Sequence, residues 1–199
     1  METSKVRGFS SQNKTQNLIS DYKPVVSVDG EGFRCSLYVS GCLFACKNCF
    51  NKSIQDFGVG KPYTDELEEQ IIKDLAPNHI QGFTLLGGEP MLNTNVSLKI
   101  TNRIRSEYKN EKDIWCWTGY TWEELLESIS CNTRNSKQQN ELLMNVDVLV
   151  DGQYIDELKD GTGLLKFRGS SNQRIIDVKE SLRLGRVIEV ERYKFQKEN

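Results

Sequence analysis

The 199-residue chain reads as an α/β protein whose parallel strands curl into an incomplete (β/α) barrel with one flank open. Three observations carry this expectation. Short apolar runs alternate with amphipathic helical stretches, the pattern of strand–helix–strand units joined by right-handed crossovers. About five or six strand candidates are present, whereas a complete eight-stranded barrel takes about 250 residues. Two ligand-type loops follow directly on strands, at the ends where parallel α/β folds bind their ligands.

Residues 1–17 carry little apolar pattern and read as a polar leader, with a short ordered piece at Leu18-Ile19. Val25, Val26 and Val28 precede Asp29-Gly30-Glu31-Gly32, a glycine-rich turn. From Arg34 to Ser40, Cys35, Leu37 and Val39 alternate with Ser36, Tyr38 and Ser40; this period of two predicts the first strand and places Cys35 in the core. The strand ends at Gly41 and opens into a loop that holds three of the six cysteines. Thr64 to Leu75 predicts a helix: Thr64 caps it, Asp65 and Glu66 suit its positive end, and Leu67, Ile71 and Leu75 form an apolar stripe. Ala76-Pro77-Asn78 stops it, and His79, the one histidine, falls in the connection as a loop residue.

Gly82 to Leu86 is a short buried strand running into Gly87-Gly88-Glu89-Pro90. Val96, Ile100, Ile104 and Tyr108 mark the next helix, and Lys112 to Trp117 a third strand, with Cys116 in the core and Thr118-Gly119-Tyr120 at its end. Thr121-Trp122-Glu123-Glu124 matches a capping box opening a helix with Leu125, Leu126 and Ile129. Ser130 to Asn140 reads as a polar stretch with Cys131 exposed. Val146 to Val150 is a further strand closing on Asp151-Gly152, Gly163 to Arg168 another candidate, and Val187, Ile188 and Val190 a last strand or edge piece. Residues 18–180 thus form one domain, followed by a charged C-terminal extension over 181–199.

Apolar residues make up 37% of the chain and charged ones 27%, a soluble composition. The net charge of −2 leaves no basic surplus for broad contact with a phosphate backbone, so no nucleic-acid partner is expected. No long apolar run offers a membrane span, and the N-terminus lacks the apolar core of a secretory signal. Six cysteines are too few to staple a chain of this length, which places it in the reducing cytoplasm.

The chemistry concentrates in Cys42, Cys46 and Cys49, spaced C-x3-C-x2-C. A [4Fe–4S] cluster usually takes four cysteines, one per iron. A loop that offers three leaves one iron without a protein ligand, and an open position marks a reacting metal site rather than a closed structural one. Structural zinc is the competing reading: it wants four ligands, and Cys35, Cys116 or Cys131 could supply the fourth in space. Downstream, two glycines at the end of a strand let a ligand approach the backbone, and the Glu89 carboxylate with neighbouring carbonyls suits a cationic amine.

The cysteine loop followed by an aromatic residue, together with GGEP, resembles the radical S-adenosylmethionine superfamily. More narrowly, Asp29 to Arg34, Tyr38 to Cys42, Cys49-Phe50-Asn51, Lys112 to Tyr120, Val148 to Gly152 and Arg168 to Gln173 resemble the activating proteins of anaerobic (class III) ribonucleotide reductase. The resemblance runs from about Tyr22 to Val178 and leaves both ends uncovered. It implies that Cys42, Cys46 and Cys49 hold three irons of a [4Fe–4S] cluster while S-adenosylmethionine chelates the fourth. It further implies that Gly87, Gly88 and Glu89 receive the methionine amino group, that Phe50 packs on the adenine, and that Asn48 and Thr118 neighbour the cofactor. The chemistry so implied is reductive cleavage of S-adenosylmethionine to a 5′-deoxyadenosyl radical, which takes hydrogen from a glycine of the reductase's catalytic subunit; an electron donor such as a flavodoxin is needed. Activation of another glycyl-radical enzyme, of the pyruvate formate-lyase type, is the nearest alternative. A non-catalytic iron–sulfur electron-transfer protein or a zinc-stabilised binding protein is the more distant one.

Overall fold

A computed structural model describes residues 17–131, 133–159, 161 and 165–193. Its centre is a seven-stranded sheet of β1 (Leu18–Val26), β2 (Phe33–Val39), β3 (Lys61–Pro62), β4 (Ile80–Gly87), β5 (Asp113–Trp117), β6 (Val148–Asp151) and β7 (Arg174–Asp177), ordered β3-β1-β2-β4-β5-β6-β7. β2, β4, β5 and β6 run parallel, as expected. β1, β3 and β7 are antiparallel to their neighbours, so the sheet is mixed and wider than the sequence suggests.

The reason is connection length. Only the glycine-rich turn separates β1 from β2, and so short a link can join antiparallel strands alone, since a parallel pair needs a crossover of a dozen residues or more. β1 escapes a periodicity reading because it is half-exposed, paired on its outer side only at Leu18 and Ile19 by the two-residue β3, and interrupted by Pro24 and by register shifts at Ile19/Asp21 and Lys23/Val26. Leu18-Ile19 is its first pair of residues rather than an isolated piece. The strand proposed over 163–168 is absent from its described part: Leu165 to Arg168 turns, with Arg168 N–H donating to Leu165 O at 3.3 Å, and Thr162 to Leu164 lie outside the described residues. The antiparallel return is made by β7 instead. Along its far side Asp177 N–H donates to Ile188 O at 2.8 Å and Val190 N–H to Ile175 O at 2.8 Å, which makes 187–190 the expected edge piece.

Among the described residues there are five α-helices: α1 (Asp65–Leu75), α2 (Thr94–Tyr108), α3 (Trp122–Ser130), α4 (Arg134–Asn145) and α5 (Val178–Leu184). Thr64 caps α1 by accepting from Leu67 N–H, and Thr121 and Glu124 exchange the reciprocal bonds of a capping box ahead of α3. α4 occupies much of the stretch read as polar loop. Its inward face mixes Leu142 and Leu143 with buried Ser136 and Gln139, so no apolar stripe announces it. Gln139 spans the interface instead, donating to Met91 O at 2.9 Å and accepting from the Ser128 hydroxyl at 2.8 Å. In α3, Leu125 is buried while Leu126 is exposed.

Alternation along the strands sorts side chains between two faces. Cys35, Leu37, Val39, Phe83, Leu85, Ile114, Cys116 and Leu149 share the large core with the helices. Trp115, Val150 and Ile175 point the other way, onto a smaller cluster with Trp117, Phe167 and Tyr193. The buried Arg34 holds this second face together at the lower end of the sheet, donating to Thr84 Oγ1 and Phe83 O at 2.8 Å and pairing with Asp113 at 2.5 Å. Among the described residues no helix is long and apolar enough to cross a membrane.

Asp147, at the entry to β6, ties α2, α5 and β5 together through Arg105 (2.5 Å), Lys179 (2.6 Å) and Ile114 N–H (2.7 Å). Burial opposes its charge, yet these donors outweigh that and hold the carboxyl below the usual carboxylate range. A depressed folded-state pKa gives stabilisation that is complete above the unfolded value and lost as pH falls through the folded one. Asp147→Asn should therefore cost about 2 kcal/mol at neutral pH, and its stability should converge with the parent's as pH falls through the depressed range of that carboxyl. Urea titrations at both ends of that range, followed by circular dichroism, check this.

Candidate metal centre

The C-terminal ends of β2, β4, β5 and β6 share one rim, and the cysteine loop grows from it. Its root is held on both sides. Gly41 N–H donates to Ile54 O at 2.8 Å and Cys42 N–H to Gln55 O at 2.9 Å, while from β4 Gly88 N–H reaches Val39 O and Glu89 N–H reaches Gly41 O, each at 2.7 Å. The turn after β4 is thus zipped onto the start of the cysteine loop. A side chain at position 88 would meet Gly41 O at 2.3 Å, so the two backbones touch where only glycine fits.

Between these turns lies a cavity of about 230 Å³, lined by Cys42, Cys46, Cys49, Phe50, Gly87, Gly88, Glu89 and Thr118. Eight residues singled out in the sequence therefore face one space. Asn48 does not: its amide turns outward and donates to Asp156 Oδ2 at 2.8 Å, with the backbone in the left-handed region at φ 54°. All six cysteines are free; Cys35 and Cys116 are buried and Cys131 is exposed. Among the described residues no three His, Cys, Asp or Glu side chains converge as the ligands of a single ion do. Three thiols spread around a common cavity suit a group that presents a separate iron to each.

The electrostatics are set by burial. It pushes the Cys42 thiol up to about 12, with the Glu89 charge adding to the effect, and raises Cys46 as well. Metal binding to such groups must displace protons. Glu89 is fully buried, and burial lifts its carboxyl to about 7 against the pull of three donors. Those donors are Gly119 N–H (2.7 Å), Thr118 Oγ1 (2.8 Å) and Met91 N–H (3.0 Å). The carboxylate is accordingly engaged in bracing the turn after β4 against the turn after β5, and Thr118 acts through it.

Further cavity residues are not named as site residues from the sequence: Trp117, Gly152 and Gln173 lie in the segments that carry the resemblance, while Gln55 and Tyr154 carry no local signal. Gln55, Trp117, Gly152, Tyr154 and Gln173 all line the space. Gln173 accepts from Gly169 N–H at 2.7 Å and donates to Gly152 O at 2.8 Å, which gives the Arg168–Gln173 segment a place on the rim. The segment after β6 also clasps the cysteine loop: Gln153 donates to Phe44 O at 3.1 Å, Glu157 pairs with Lys47 at 2.8 Å, and the Tyr154 and Phe50 rings lie 5.8 Å apart.

Comparison with known proteins agrees with this arrangement. The family model of a 4Fe-4S single cluster domain matches residues 28–176. The chain is 43% identical over 158 residues to the anaerobic ribonucleoside-triphosphate reductase-activating protein of Haemophilus influenzae, covering 77% of this chain and 94% of that one. The proteins of that name from Vibrio cholerae (44% over 158 residues; 77% and 94%) and Escherichia coli K12 (44% over 156 residues; 76% and 93%) are equally similar. On this identity and coverage, the chain belongs to the family of anaerobic ribonucleoside-triphosphate reductase-activating proteins.

Proposed function

We propose that this chain is an iron–sulfur activase that uses S-adenosylmethionine to install a glycyl radical on the catalytic subunit of anaerobic ribonucleotide reductase. The observation that carries the reading is the meeting of a three-cysteine loop and a Gly-Gly-Glu turn on one cavity, in a chain with 43–44% identity to proteins so named. The donor set fits the implied group. Three free thiols face the cavity, and Gly87 and Gly88 line it as well, packed so closely on the backbone of Val39 and Gly41 that no side chain fits there.

In this reading Cys42, Cys46 and Cys49 hold three irons. Gly87, Gly88 and Glu89 take the methionine amino group, the backbone carbonyls making the contact while the buried Glu89 keeps the turn in place. Phe50, 76% exposed at the rim, is free to cover the adenine, with Asn48 and Thr118 as neighbours at the edge. When bound, the cluster and S-adenosylmethionine supply a 5′-deoxyadenosyl radical that removes hydrogen from a glycine Cα of the reductase. Trp117 and Tyr154 wall the cavity and limit water beside it. The four parallel strands with their antiparallel flanks then make an incomplete barrel over residues 18–180, whose open side admits a polypeptide. A flavodoxin-like donor supplies electrons, in the cytoplasm.

The test is anaerobic reconstitution with iron and sulfide, followed by EPR of the reduced protein with and without S-adenosylmethionine and then with the reductase. A signal altered by S-adenosylmethionine, release of 5′-deoxyadenosine and a glycyl-radical doublet on the reductase are expected. Bound zinc and no 5′-deoxyadenosine would overturn the reading.

A further inference from the structure

We infer that Gln55 is a cofactor-contacting residue: its side-chain amide donates a hydrogen bond to sulfur of the bound cluster at the Cys42 corner. The inference rests on the three-cysteine reading above and adds a residue that neither the motifs nor the comparisons single out.

Three observations point the same way. Gln55 lines the cavity that Cys42, Cys46 and Cys49 share. Its Nε2 is buried and has no hydrogen-bond partner. A buried donor left unpaired costs about 1–3 kcal/mol and is rare in folded proteins, so such a group at the wall of a cavity asks for an acceptor from outside the chain. Finally, its main chain is locked beside the first cysteine: Gln55 O accepts from Cys42 N–H at 2.9 Å, while Gln55 N–H closes the preceding 3-10 turn (Lys52–Ile54) on Lys52 O at 3.4 Å. The side chain is thereby held next to Cys42 before anything binds.

The acceptors such a cavity can receive are the sulfurs of the cluster and the carboxylate of S-adenosylmethionine. The bond to Cys42 favours the sulfur, because the cluster is anchored at that residue. An N–H donor to cluster sulfur stabilises the reduced, more negative form, so it sets the potential upward.

Gln55→Leu keeps the bulk and removes the donor. In the iron-free full chain this variant should unfold at an equal or higher denaturant concentration than the parent, because an unpaired donor has been taken out. In the reconstituted protein without S-adenosylmethionine, its midpoint potential should move to a more negative value, and Gln55→Glu, which adds charge, should move it further. An iron-free Gln55→Leu chain that unfolds clearly earlier would show that the amide already has a partner, and would overturn the inference. So would an unchanged potential in both variants, including the case in which affinity for S-adenosylmethionine falls instead and the amide serves its carboxylate. A parent chain that takes up no iron at all would sink the underlying reading together with this one, whereas a loaded parent with unmoved potentials sinks this one alone.

Discussion

Replacing Cys42, Cys46 or Cys49 with alanine, one at a time, is expected to leave a folded protein that retains no stable cluster and cleaves S-adenosylmethionine at background level. In the proposed reading each thiol would supply one iron's protein ligand, and two remaining cysteines would not hold a cube whose fourth corner is open to substrate. Cys35→Ala, Cys116→Ala and Cys131→Ala should keep both properties. Cys35 and Cys116 lie on the helix-covered face of the sheet, in the large core and away from the cavity. Cys35 is further occupied in a contact with Pro24 O at 3.2 Å. Truncating either costs about 1 kcal/mol for the lost sulfur, and the exposed Cys131 costs less than about 0.5 kcal/mol. His79 sits before β4, at the opposite end of the parallel strands from the cysteine loop. Iron and sulfide content after gel filtration distinguishes the two groups; loss of the cluster in Cys116→Ala or Cys131→Ala would mean a fourth protein ligand.

That separation of cysteines was legible because it depends on short-range pattern. The period of two from Arg34 to Ser40 turns Cys35 toward the helices and delivers Gly41 to the loop; the same period turns Cys116 inward while Trp115 and Trp117 face the other side. The Gly-Gly-Glu turn was legible for the same reason, as glycines at the end of a buried run. What stayed hidden depends on contacts distant in sequence. Tyr154 reaches the cavity from the irregular segment after β6, and Gln173 from the start of an antiparallel return that no local periodicity announces. α4 conceals its inward face behind Ser136 and Gln139, whose burial is compensated by hydrogen bonds rather than by apolar character. Glu89 carries the sharpest difference. Its residue type suggested an open carboxylate for an amine, whereas three donors converge on it and make it a brace between two turns. Asn48 is the converse case, expected beside the cofactor from the resemblance alone and drawn outward by Asp156.

Gly88→Ala should be as damaging as loss of a cysteine while leaving every ligand in place. The added methyl would lie 2.3 Å from Gly41 O and 2.8 Å from the Gly41 carbonyl carbon and nitrogen, all main-chain atoms held from several directions. No side chain can swing aside to make room. Relief requires the turn after β4 to lift off the cysteine loop, which breaks the bonds of Gly88 N–H to Val39 O and Glu89 N–H to Gly41 O. Overpacking of this kind costs about 3 kcal/mol, and a displacement near 1 Å at a reacting site lowers rates about a hundredfold. The control is Gly161→Ala, where nothing lies within 4 Å of the new methyl and stability should change by less than about 0.5 kcal/mol. Denaturant midpoints and 5′-deoxyadenosine release, measured on both variants after reconstitution, decide the matter. A normally active Gly88→Ala protein would show that the close approach of these two turns is not what shapes the cavity; a stable but inactive one would place its importance in aligning the cysteine loop with the main chain opposite it.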